Sequence, residues 1–489
     1  MSEQEERGAA WTEERGTSDE GRRRRKGAPK ASGDTGSGDT GEATASREES
    51  SPEATDMRRP RVAAAIAAAA LFGAVGVILA VTTPWHPLPG AVPGGEVKPD
   101  PKLDFTHAEI ARSQAFDSAI NPPAYLGLII GLVVVLVLGL TPLGSRLISW
   151  STARVRRWPL RVVGAALVLT TVVRLAGLPF DIWSESVLRR YGLSTQNWSE
   201  WLIDQAKSLG VTWVIWSVAL LLLYGLMRRF PRYWWAGAAV TGFALVVAVS
   251  FIYPVAVEPV FNKFHKLPQG QLRTDLLAMA QRDGVPVKDV LVADASRRTT
   301  ALNAYVSGFG STRRIVLYDT LLKSTPPQQI ESIIAHELGH AKHKDVLWGT
   351  LIGALGVAGA ICLLQLLLTS PALRRRAGVG ARLGDPLSVA LLLALITVAT
   401  QIGTPVQNLI SRHIEARADA HALQLTRDPE TFVRMQHELS VRNISDLTPN
   451  QLEYLLWLTH PAGPERIAMA RDWARQHHVP EPAPLVQGR

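Results

Sequence analysis

The sequence predicts a mainly α-helical integral membrane protein of seven spans, with one small α+β domain inserted between the fifth and sixth. Three observations carry that expectation. Seven apolar stretches are long enough to cross a bilayer core of about 30 Å, which takes roughly 20 helical residues. Arginines cluster in alternate connecting segments. A long polar region with β-rich runs, 255–345, lies between the fifth and sixth stretches.

The chain has 489 residues, and its first sixty are rich in Gly, Ser, Thr, Glu and Arg with almost no large apolar side chains. Such a segment cannot bury enough surface to offset its ordering entropy, so 1–60 reads as a disordered charged tail. Its basic run at 22–26 reads as part of a solvated cytoplasmic tail that, beside a span, also suits anionic lipid; no nucleic-acid partner is expected. The formal charge of +9 reflects where arginines sit relative to a membrane. The single cysteine, Cys362, lies in an apolar run, so a disulfide within the chain is excluded and a thiolate zinc site is not expected. The first apolar stretch follows a long tail and has no clear small-residue cleavage pattern, so it reads as a span rather than a signal peptide.

The spans are expected near 62–82, 124–143, 160–180, 209–227, 233–254, 346–369 and 386–406. Arg174, inside the third, is costly in lipid and faces either a polar interior or a packing and snorkelling role. Arg58, Arg59 and Arg61 precede the first span. Arg146, Arg154, Arg156, Arg157 and Arg161 separate the second from the third. Arg228, Arg229 and Arg232 separate the fourth from the fifth, and Arg374, Arg375, Arg376 and Arg382 the sixth from the seventh. These segments share one side, which the positive-inside rule makes cytoplasmic. The N-terminus is then cytoplasmic and the polar domain faces away from the cytoplasm, in a multi-pass protein of the cell membrane.

Within the inserted region an amphipathic helix pattern at 271–283 is closed by Gly284. Strand-like runs follow at 289–293, 302–306 and 314–318, the last two joined by a glycine-rich hairpin signal containing Gly308 and Gly310. Pro326 and Pro327 then mark a helix start. The organisation expected is a tail at 1–60, a membrane domain at 61–257, and a peptidase domain with hairpin and metal helix at 258–345. Spans six and seven follow at 346–406, then a helical part of the peptidase domain at 407–475 and a loose Pro-rich tail at 476–489.

The chemistry is carried by His336-Glu337-Leu-Gly-His340. Two histidines four apart on a helix share a face, so both imidazoles can reach one Zn2+ at about 2.0–2.1 Å. Glu337, beside the first ligand, is placed to act as general base on a zinc-bound water. A catalytic zinc needs a third protein ligand, and a carboxylate is a standard choice. Glu415 and Asp419, one helical turn apart beyond the seventh span, could supply a ligand and a hydrogen-bond acceptor for a ligand histidine. On their own they read rather as solvated charges on an amphipathic helix.

HELGH followed, after two spans, by N-x-x-S-R-x-x-E-x-x-A-D at Asn408 to Asp419 resembles the type I CAAX prenyl endopeptidase family of membrane zinc proteases. The resemblance runs from the first span to about residue 470. It includes Asn303-Ala304-Tyr305 and the hairpin leading to Asp319, His460-Pro461 with Glu465-Arg466, and the seven spans in number and placement. It implies a gluzincin-type zinc peptidase domain with one Zn2+ held by His336, His340 and Glu415. It further implies a substrate strand along Asn303, Ala304 and Tyr305, an oxyanion role for His460, and Arg466 orienting Glu415. His343, three residues past a ligand, is left out because three ligands fill the protein share of a catalytic site. In the eukaryotic members the zinc site resembles a cytosol-facing chamber, whereas the arginine pattern here predicts the opposite side.

The function expected is that of a membrane zinc metalloendopeptidase, CAAX-protease-like, acting on peptide or membrane-protein substrates in the lipid bilayer. Two alternatives stand beside it. An HtpX-like quality-control peptidase shares the zinc helix but has fewer spans, and an inactive receptor or scaffold would have no reason to keep the full ligand set. A site-2-type intramembrane protease is excluded, since its metal motif must lie within an apolar span.

Overall fold

The computed structural model describes residues 57–308, 310–380 and 382–486. The expected tail, as far as residue 56, lies outside the described residues, as does its basic run. Among the described residues, seven helices are long and apolar enough to cross a membrane. Five precede the inserted domain: α1 (Arg58–Thr82), α2 (His107–Leu140), α3 (Trp158–Arg190), α4 (Trp198–Arg229) and α5 (Trp234–Ile252).

Several helices run well past their apolar cores because polar caps extend them. Thr106 and Glu109 form a capping box that starts α2 seventeen residues before its expected apolar stretch at 124–143. Asn197 and Glu200 do the same for α4. Arg174 resolves as a partnered charge. Its Nη1 lies 2.6 Å from Asp181 Oδ2, two turns along α3, and it also donates to Gln205 on α4.

The inserted domain carries α6 (Gln271–Arg282), which ends before Gly284 at φ +73, and a four-stranded sheet. The strands are β1 (Phe264–Lys266), β2 (Asp289–Ala293), β3 (Ala304–Ser307) and β4 (Arg314–Tyr318) in the order β1-β2-β4-β3. The expected hairpin is the antiparallel β3–β4 pair. β2 and β4 pair in parallel, and β1 adds an edge strand that the sequence reading did not anticipate. β3 is the other edge, and an edge strand presents unpaired backbone groups to whatever lies beside it.

The metal helix α7 (Pro327–His343) begins with Pro at its first position, where a missing N–H is harmless. Lys344, at φ +58, stops it, and α8 (Asp345–Leu368) starts at the next residue as the sixth span. α9 (Val389–Thr426) is a single 38-residue helix: the seventh span continues unbroken into the polar domain. α10 (Pro429–Arg442) and α11 (Gly463–Gln476) pack beside it.

Two large apolar cores result among the described residues, beside a small cluster around Phe116 and Val187. One joins α6, the sheet, α7, α10 and α11 through residues such as Leu276, Ile315, Leu338, Phe432 and Trp473. The other lies inside the bundle around Leu220, Trp234, Cys362 and Leu391. Each fully buried Leu or Phe of the first contributes about 1.5–3 kcal/mol of burial. The segment after Gln476, expected to be loose, is pinned as far as Val486. Buried Arg471 forks onto Asp104 and donates to the Pro482 carbonyl, and the amides of Leu485 and Val486 bond to Asp104 and the Leu103 carbonyl. A buried arginine needs such partners, and the C-terminal segment supplies two, the Pro482 and Ala483 carbonyls.

Candidate metal centre

α7 and α9 cross so that His336, His340 and Glu415 converge. Gly339 permits the approach: a Cβ there would meet the His421 ring of α9 at 3.1 Å. His336 Nε2 lies 3.1 Å from His340 Nε2 and 3.1 Å from Glu415 Oε2, and His340 Nε2 lies 3.5 Å from Glu415 Oε1. Tetrahedral donors about 2.0–2.1 Å from a common ion stand roughly 3.3 Å apart. Two imidazoles and a carboxylate at these separations therefore fit a zinc ion in donor type and in spacing.

Each imidazole is held from behind by a carboxylate. His336 Nδ1 is 2.8 Å from Asp419 Oδ1, and His340 Nδ1 is 3.0 Å from Asp345 Oδ2. With Nδ1–H donating backwards, each Nε2 keeps its lone pair for the metal. The carboxylates are held in turn by arginines. Arg466 places Nε 2.7 Å from Asp419 Oδ2 and also reaches Oδ1, while Arg417 pairs with Asp345. Arg466 thus departs from its expected place: it forks onto Asp419, and through Asp419 onto His336, rather than orienting Glu415. Asp419 is fully buried and draws a full cationic partner, whereas Glu415 already faces two imidazoles.

Glu337 lines a cavity of about 430 Å³ together with His336, His340, Glu415 and His460. It also lines a neighbouring cavity of about 720 Å³. Burial pushes its carboxyl above the ordinary glutamate value, with the adjacent His336 and His340 pulling the other way. Burial alone would lower His340, but its hydrogen bonds to Asp345 and Glu415 outweigh that and push it up to about 10. Asn303 and Ala304 line both cavities, and Tyr305 lines the smaller, its hydroxyl donating to Glu258 at 3.3 Å. His460 is exposed and places Nε2 3.2 Å from Glu415 Oε2. His343 lies outside the group, its ring against His421 at 5.9 Å.

Sequence reasoning missed Asp345 and Arg417. The available signal was an acid five residues after His340, at the head of a span, where it reads as a favourable first-turn charge on the next helix.

The model for peptidase family M48 matches residues 266–474, and the one for the CAAX prenyl protease N-terminal region, five membrane helices, matches 104–263. The chain is 30% identical over 396 residues to the uncharacterized metalloprotease YhfN of Bacillus subtilis, covering 81% of this chain and 92% of that one. It is 32% identical over 241 residues to a CAAX prenyl protease 1 homolog of Oryza sativa, covering 47% of this chain and 54% of that one. With the CAAX prenyl protease 1 of Saccharomyces cerevisiae it shares 28% over 240 residues, 46% of this chain and 53% of that one. The match thus spans about half the length of these eukaryotic relatives. The crystal structure of S. mikatae Ste24p has the same fold, with a TM-score of 0.68 at 22% identity, covering 83% of this chain and 98% of that one. Two histidines and a glutamate converging beside Glu337, a seven-span frame and these matches together place the chain in peptidase family M48, as a membrane-embedded zinc metalloendopeptidase.

Proposed function

We propose that the protein cleaves peptide segments of membrane-associated proteins, bound as an added strand along β3, with Glu337 as general base. The observation that carries this is the placing of Glu337 and the metal group in one cavity with the edge residues Asn303, Ala304 and Tyr305. Zinc held by His336, His340 and Glu415 would supply Lewis acidity, polarising the scissile carbonyl and lowering the pKa of water toward about 7. A strand added to β3 is held by its main chain and so is aligned with little demand on its sequence. Glu337 takes the proton from the attacking water and returns it to the departing amine nitrogen. His460, at the mouth of the site, donates to the carbonyl oxygen as negative charge develops there. Asp419 and Asp345 keep His336 and His340 in the tautomer that ligates.

The five-helix match at 104–263 favours a CAAX-protease-like reading over an HtpX-like quality-control peptidase. The arginine-rich segments on alternate loops support a cell-membrane location with the peptidase domain facing away from the cytoplasm. The test is cleavage, by the purified protein in detergent, of one peptide series offered with and without a prenyl group. Zinc-dependent cleavage of either form supports the reading. No cleavage of any member by fully zinc-loaded protein would overturn it.

A further inference from the structure

Asn408 and Arg412 stand in the motif that leads to Glu415, yet neither belongs to the metal group. They are spaced at i and i+4, with Glu415 at i+7, so all three share one face of α9. Asn408 is only 4% exposed. Both side chains reach across to the segment that precedes His460. A six-residue helix, Gln451–Leu456, is capped at its start by Asn450 and Glu453. At its other end the last carbonyls of a helix have no partner within it. There Asn408 Nδ2 donates to the Leu455 carbonyl at 3.0 Å. Arg412 Nη1 donates to the Tyr454 carbonyl at 2.8 Å and to the Leu458 carbonyl at 2.7 Å, and its guanidinium lies over the Tyr454 ring at 5.0 Å.

We infer that Asn408 and Arg412 are positioning residues that set the place of His460, by binding three carbonyl oxygens of the segment that carries it. Only Thr459 separates the last of these carbonyls from His460. Leu455, Trp457 and His460 are exposed, so the segment has little apolar burial of its own to order it. The clamp and the carboxylate of the metal group sit on one rigid helix, so the imidazole is located relative to the metal by α9 itself. A misplacement of about 1 Å in such a group can cost on the order of 10²-fold in rate. This inference rests on the role proposed for His460.

The test is a double-mutant cycle on hydrolysis of labelled casein by the full-length, zinc-loaded protein. His460→Ala is expected to lower kcat by about 10²-fold. Arg412→Ala should lower kcat by roughly 10- to 100-fold at unchanged zinc content and nearly unchanged KM, and the double variant should be no worse than His460→Ala alone. Arg412→Lys and Asn408→Ala, which each leave part of the clamp, should fall between wild type and Arg412→Ala and serve if Arg412→Ala does not fold. Multiplying effects in the double variant, loss of zinc from Arg412→Ala, or unchanged kcat in the clamp variants beside an impaired His460→Ala would overturn the inference. Unchanged kcat in His460→Ala would instead remove the role of His460, and the clamp's purpose with it.

Discussion

His340 Nδ1 lies 3.0 Å from Asp345 Oδ2, so the second histidine of the metal helix is anchored by the first residue of the sixth span. Lys344 alone separates the two helices, and its left-handed conformation turns Asp345 back toward the ring. The membrane frame and the metal group therefore share a residue-level joint. Asp345→Asn should leave the fold intact and weaken zinc binding by about 10–100-fold, the usual effect of losing an acceptor behind a ligand histidine. Competition against a zinc-binding dye measures it; unchanged affinity would mean that Asp345 does not orient His340.

Arg466 and Asp419 form a buried pair beneath His336. Removing one member of such a pair leaves a buried charge and typically costs about 3–5 kcal/mol. Arg466→Met should accordingly lower the unfolding midpoint sharply, and adding Asp419→Asn should recover part of the loss. Thermal unfolding of both variants in detergent decides it. A double variant less stable than Arg466→Met would show that the pair is not the source.

Gly339 lies where α7 packs tightly on α9, since a Cβ would stand 3.1 Å from the His421 ring. Gly339→Val must push the helices apart or displace His421. Overpacking of this kind costs about 1–3 kcal/mol. The variant should be less stable and bind zinc more weakly, as Glu415 moves away from the histidines. Wild-type stability together with wild-type zinc affinity would remove the packing role.

The membrane frame was legible because each span carries its own signal of length and hydropathy. The ends of α2 and α4 were not, because their extra turns are polar and are fixed by capping boxes rather than by burial. β1 is three residues long, too short for an alternation of period two to register. In the centre, His336, Glu337 and His340 were legible because the helical period alone brings them together. Glu415 and Asp419 needed the family resemblance, since helix periodicity also suits two solvated acids. The partners of Asp419 and His340 depend on how helices distant in sequence cross, or on a single left-handed residue, and neither leaves a periodic trace. The anchoring of the C-terminal segment was missed because it depends on Arg471 and Asp104, more than 300 positions apart.

The proposed sidedness rests on twelve arginines in three connecting segments, which are costly to translocate. Lys288, exposed on the inserted domain, and Ala153, exposed between the second and third spans, make suitable labelling sites. Lys288→Cys should react with an impermeant thiol reagent in intact cells and Ala153→Cys should not. Buried Cys362 should remain silent. The reverse labelling would put the peptidase domain in the cytoplasm.

In the proposed mechanism Glu337 moves protons while His336, His340 and Glu415 hold zinc. Purified Glu337→Gln, assayed for zinc content and peptide cleavage in the same preparation, separates the two roles. The expected result is zinc at the wild-type level with turnover reduced by at least about 10²–10⁴-fold, the usual cost of losing a general base. Near-normal cleavage by the zinc-loaded variant would contradict it.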